Sequence, residues 1–133
     1  MRNTATAIIL FLSITAYAQK TRTTELVAHK GITISQIVGE DTLFLMLGRN
    51  AKYNQLVDII SLKSGRKLGD ISTLLEECLK MTAEPKGTSL EYEGNSISSF
   101  GGGQIALWGR GKDSSGYVYL NKQIIGKLTE GLK

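Results

Sequence analysis

Apolar and polar positions along this chain follow two different periods, and the switches between them mark out its elements. Ile32-Thr33-Ile34-Ser35 alternates with period two, the pattern of a strand with one face buried. Gly39-Glu40-Asp41 interrupts it, and Leu43 to Leu47 follows as five consecutive apolar residues. A run of that length between turn signals predicts a buried partner strand, and so a hairpin. Gly48-Arg49-Asn50-Ala51-Lys52 supplies a polar turn before Leu56 to Leu62, a third strand rich in β-branched residues.

The period then changes. Ile71, Leu74, Leu75, Cys78 and Leu79 recur at spacings of three and four, which predicts a helix with these residues on one face. Asp70 is placed to cap it, Thr73 with Glu76 offers an alternative capping box, and Pro85 forbids continuation far past Ala83. From Thr88 the strand pattern returns in Ser89 to Glu93, a Gly94-Asn95 turn, Ser96 to Phe100, the glycines 101 to 103, and Gln104 to Trp108. Tyr117 to Leu120 completes this second meander after the turn at 113 to 116. Asn121 is a good N-cap for a terminal helix bearing Ile124, Ile125, Leu128 and Leu132 on one face, in spite of Gly126 in its interior.

Strands followed by a helix therefore occur twice, over 32–83 and 89–132. The expected fold class is α+β: antiparallel sheet built from two successive strand-meander-plus-helix units, with two helices packed on the sheet. This order resembles the tandem sheet-and-helix architecture of some single-strand-binding transcription cofactors, a likeness that implies fold class alone.

The N-terminus follows neither period. Arg2, the apolar run Ala7 to Ala16 and the A-x-A sequence Ala16-Tyr17-Ala18 read as a signal peptide over residues 1 to 18, cleaved before Gln19. The apolar run is about half the length of a transmembrane helix. The expectation is an exported bacterial protein, periplasmic or extracellular, with no stable membrane insertion after cleavage. Residues 19 to 24 have no apolar side chain and read as a mobile polar leader, and residues 25 to 133 as a single domain. Cleavage lowers the formal net charge from +4 to +3 by removing Arg2, too little for a nucleic-acid footprint. With one cysteine in the chain, no internal disulfide forms even in an oxidising compartment, so stability must come from packing.

The candidate chemistry is sparse. Cys78 is the only thiol and lies on the apolar helix stripe, where burial raises its pKa and suppresses reactivity. His29 is the only histidine. Zinc sites draw three or four His, Cys or carboxylate ligands at short spacings, and no such grouping occurs, so neither a metal nor another cofactor is expected. Glu40-Asp41 falls in a turn and Glu76-Glu77 on a polar helix side. Glu91 and Glu93 share a strand face, and Asp58 shares one with Ile60 and Leu62. A minimal carboxylate-dependent hydrolase would use these three. The glycines 101 to 103 lack the following helix that a dinucleotide loop requires, and Gly111-Lys112 is followed by Asp113, so no P-loop is present.

Basic residues collect in the connections at Arg49, Lys52, Lys63, Arg66, Lys67, Arg110 and Lys112. With exposed aromatics beside them they could bind a polyanion or oligonucleotide, although export argues against nucleic acid as the partner. The leading expectation is a non-catalytic module that binds a protein, peptide or surface ligand. Its candidate contacts are Tyr53, Phe100, Trp108, Arg110, Tyr117 and Tyr119, since aromatic and Arg side chains carry much of interface energy.

Overall fold

The computed structural model describes residues 21–51, 59–109 and 116–133. The segment expected to be a signal peptide, Lys52, Tyr53, Asp58, Arg110 and Lys112 lie outside the described residues. Four strands come first, β1 (Arg22–His29), β2 (Ile32–Val38), β3 (Leu43–Arg49) and β4 (Ile59–Gly65), followed by helix α1 (Leu68–Met81). The order then repeats as β5 (Ser89–Tyr92), β6 (Asn95–Gly101), β7 (Gln104–Trp108), β8 (Tyr117–Leu120) and helix α2 (Lys122–Gly131). Each set of four strands forms its own antiparallel sheet in sequential order. The protein is thus α+β, with two sheets and two helices.

One hydrophobic cluster serves both halves. Ile32, Ile34, Met46 and Leu62 from the first sheet meet Ile97, Ile105, Leu107, Val118 and Leu120 from the second, with Ile71, Leu74, Leu75 and Cys78 of α1 and Ile125 and Leu128 of α2. Helix α1 touches β3 and β4 as well as β6 and β7, while α2 packs on α1 and β1. Neither sheet could bury its apolar face alone. Among the described residues, no helix is long and apolar enough to cross a membrane.

Several local expectations need correction. The polar leader expected over residues 19 to 24 is strand from Arg22 onward, where Arg22, Thr23 and Thr24 pair with Val38, Ile37 and Gln36. An edge strand needs only a backbone partner, and the threonines suit extended backbone. Leu79, expected on the helix stripe, is 46% exposed, and Met81 takes its place in the core. At 100° per residue Leu79 lies at the margin of the stripe. The hairpin after β5 turns at Glu93 and Gly94, with φ of 46° and 86°, one residue earlier than expected. Asn95 consequently enters β6, and Glu93 leaves the strand face it was to share with Glu91. Lys63, expected in a basic loop, is a buried β4 residue whose Nζ is paired with the Glu93 carboxylate.

The N-cap of α2 is Asn121 as expected, but that of α1 is Lys67, three residues before the expected Asp70, and Thr73 of the alternative box lies inside the helix, where its hydroxyl donates to the Gly69 carbonyl at 2.7 Å. Asp70 stands three residues after the N-cap Lys67, and its carboxylate accepts from the Lys67 N–H at 3.1 Å. Asn121 Oδ1 accepts from the Ile124 N–H at 2.9 Å at the start of α2. Gly126 is exposed, and a Cβ there would meet nothing within 4 Å. Gly126→Ala should therefore stabilise the protein by about 0.5–1 kcal/mol through the helix interior, seen as a higher urea midpoint at unchanged m-value.

Candidate functional site

Strand alternation sorts the second sheet into two faces. Ile97, Ile105, Leu107, Val118 and Leu120 point into the core, leaving Phe100, Trp108, Tyr117 and Tyr119 on the opposite face. Trp108 stands directly opposite Tyr117 across β7 and β8, with ring centroids 4.8 Å apart. Tyr117 and Tyr119 are edge to face at 5.3 Å, and Phe100 lies 5.5 Å from Tyr119 and 6.3 Å from Tyr117. These tilted and edge-on arrangements are those aromatic quadrupoles favour. Tyr119 is 49% exposed and Phe100 36%, so the cluster presents ring surface to solvent. Ala106, between Ser98 and Tyr119 in the ladder, is fully buried on this same side.

The turn beneath Phe100 requires glycine. Gly101, Gly102 and Gly103 all have positive φ, 79°, 64° and 82°, a succession only glycine adopts without strain. The register shifts between Ser99 and Gly101, a bulge that leaves Phe100 without a partner in the ladder. The run is a tight hairpin turn and opens no helix. The Ser99 hydroxyl donates to the Glu84 carbonyl at 2.8 Å and accepts from the Gly101 N–H at 3.2 Å, which holds the turn against the end of α1's connection.

The backbone carrying the rings is fixed to the first sheet. The Asn95 amide donates to the carbonyls of Leu62 on β4 and Trp108 on β7. Ala51 N–H donates to the Tyr117 carbonyl at 2.7 Å, and Asn50 Oδ1 accepts from the Tyr117 N–H at 3.3 Å. The aromatic face is thus presented on a braced support. A hydrogen bond to Tyr119, and secondly burial, raise the pKa of the Tyr117 phenol above its ordinary value. Tyr117 is therefore a neutral donor throughout the physiological range.

The remaining candidates are scattered. His29 is half-buried at the end of the edge strand β1, and Glu91 is exposed on β5. Glu93 faces Lys63, so the expected Glu91 and Glu93 pair does not assemble. Arg66 and Lys67 are exposed between β4 and α1. No group of three or more His, Cys, Asp or Glu stands together among the described residues.

No protein family, no characterised protein and no solved structure matches this chain.

Cys78 is fully buried. Burial, with a smaller contribution from the Glu77 charge, pushes its thiol from 9.0 up to about 12. Because the folded value is the higher one, this group's contribution to stability is complete below pH 9 and falls as pH rises from 9 towards 12. Cys78 should also resist thiol-specific reagents at pH 8 until the protein unfolds, so that labelling and loss of circular dichroism in urea coincide. Labelling in the native state at the rate of a free thiol would contradict the burial.

Proposed function

We propose that this protein is an exported, non-catalytic binding module that contacts a protein, peptide or surface ligand through the outer face of its second sheet. The observation that carries this reading is the grouping of Phe100, Trp108, Tyr117 and Tyr119 on one solvent-facing sheet surface. Rigid aromatic side chains give large contact area at low entropic cost, and hydrogen bonds to the first sheet brace the backbone below them. The signal pattern of Met1 to Ala18 supports export to the periplasm or the extracellular medium. Two positive findings favour binding over catalysis: the only thiol is sealed in the core, and Glu93 is engaged by Lys63.

The test is a paired replacement at the two exposed rings. Phe100→Ser with Tyr119→Ser should leave the urea midpoint close to that of the unaltered protein. Retention of envelope components by the immobilised protein should fall at least tenfold, as expected when central anchors are removed. Undiminished retention by a folded double variant would reject this face as the contact surface.

A further inference from the structure

We propose that a cavity at the seam between the two sheets is an oxyanion site, suited to a small ligand that carries a carboxylate or phosphate on an apolar ring. The cavity, about 310 Å³, is lined by Lys30, Arg49, Ala51, Val118, Tyr119 and Ile124, together with the buried Asn50. Its size is at the lower end for ligand pockets. Among the described residues, no acidic residue lines it. The ion pairs among the described residues are Lys63 with Glu93 and Lys80 with Glu77, so neither Lys30 nor Arg49 is neutralised by them.

Local backbone structure brings the two cations together. Lys30 and Gly31 form the two-residue turn between β1 and β2, with φ of 52° and 79°, the left-handed pair of a tight hairpin. The Arg49 N–H donates to the Gly31 carbonyl at 2.9 Å, tying the turn to the end of β3. Lys30 and Arg49 are both exposed at the rim of the cavity, where their side chains are accessible to a ligand from solvent. The Arg guanidinium matches the two oxygens of a carboxylate or phosphate in a planar fork, while Lys adds a point charge. Tyr119, Val118 and Ile124 supply the apolar wall against which a ring would lie.

A neighbouring cavity of about 200 Å³ shares Tyr119 and Ile124 but is completed by Gln104, Leu120 and Asn121, with no charged residue among the described residues. The same apolar wall is thus cationic on one side and neutral on the other, which gives an anionic ligand a preferred side. The inference requires Tyr119 as a wall but is independent of whether the aromatic face binds a partner.

Phenyl phosphate and benzoate, titrated separately into the isotopically labelled protein while amide chemical shifts are followed, test the site. Saturable shifts are expected at Gly31, Ala51 and Ile124, with a Kd of about millimolar or tighter. Arg49→Gln should weaken binding about tenfold and Lys30→Gln severalfold, whereas Lys80→Gln, at an exposed cation on α1, should change nothing. Tighter binding of phenyl phosphate assigns the site to phosphate-bearing ligands, and tighter binding of benzoate to carboxylates. The probes are read at Gly31, Ala51 and Ile124 and not through retention of envelope components, so failure of the aromatic face and failure of this site can be told apart. Absence of saturable shifts with both probes, or equal weakening by Lys80→Gln and Arg49→Gln, would overturn the proposal.

Discussion

Gly48→Ala is expected to destabilise the protein by about 1–3 kcal/mol, the range for forcing extra atoms into a packed interior. Gly48 lies in β3, where the first sheet meets the second. A Cβ there would lie 2.4 Å from Val118 Cγ2 and 2.9 Å from Leu62 Cδ1. Leu62 is fully buried and Val118, 4% exposed, carries a β-branched side chain with few alternative rotamers, so neither turns aside freely. One methyl group must therefore push β8 away from β3 or shift both strands. Urea denaturation measures the loss directly. A double-mutant cycle identifies its cause: Gly48→Ala combined with Val118→Ala should cost less than the sum of the two single changes, because the truncated side chain vacates the contested volume. Simple additivity would mean that the sheets do not meet at this glycine.

Asn95→Asp is expected to cost more, about 3–5 kcal/mol, as when one partner of a buried polar contact leaves an uncompensated charge. Asn95 is fully buried, and its amide NH2 donates to two carbonyls, those of Leu62 in one sheet and Trp108 in the other. Its Oδ1 is a buried acceptor with no hydrogen-bond partner among the described residues. An ionised carboxylate would place negative charge against two carbonyl oxygens and lose both donors. Burial would raise the new carboxyl's pKa above the ordinary value near 4. The variant should then be most stable at low pH, where the group is protonated in both states, and lose stability as pH rises through its folded pKa. Asn95→Leu removes the charge problem but still leaves two carbonyls unsatisfied, at about 1–3 kcal/mol for a buried group. It should therefore be destabilised without the pH dependence. Equal stability of Asn95→Asp and the unaltered protein at pH 7 would mean that this side chain does not bridge the sheets.

These two residues show where the sequence was legible and where it was not. The repeat of strands and helix could be read because period two and period 3.6 are properties of neighbouring residues. The same reasoning put Tyr117 and Tyr119 on one strand face, and the structure adds Phe100 and Trp108 beside them. β1 escaped notice because an edge strand needs few apolar side chains, and its Arg22-Thr23-Thr24 start carries none. Asn95 looked like a turn residue because Gly94-Asn95 and Glu93-Gly94 differ by a single step of register, which local sequence specifies weakly. Its partners lie 33 and 13 residues away. The burial of Lys63 and the meeting of Lys30 with Arg49 at one cavity are likewise consequences of how the two halves dock, and no period encodes them.

Trp108 is the only tryptophan in the chain, and it sits within the aromatic face against Tyr117. Its fluorescence is therefore a built-in reporter of that face. The decisive measurement is its emission during titration with the envelope component retained by the immobilised protein. A saturable change in intensity or wavelength is predicted, with the same midpoint as binding, and absent when Phe100→Ser and Tyr119→Ser are introduced together. Emission that stays constant while binding proceeds to saturation would contradict the assignment of the second sheet's outer face as the contact surface.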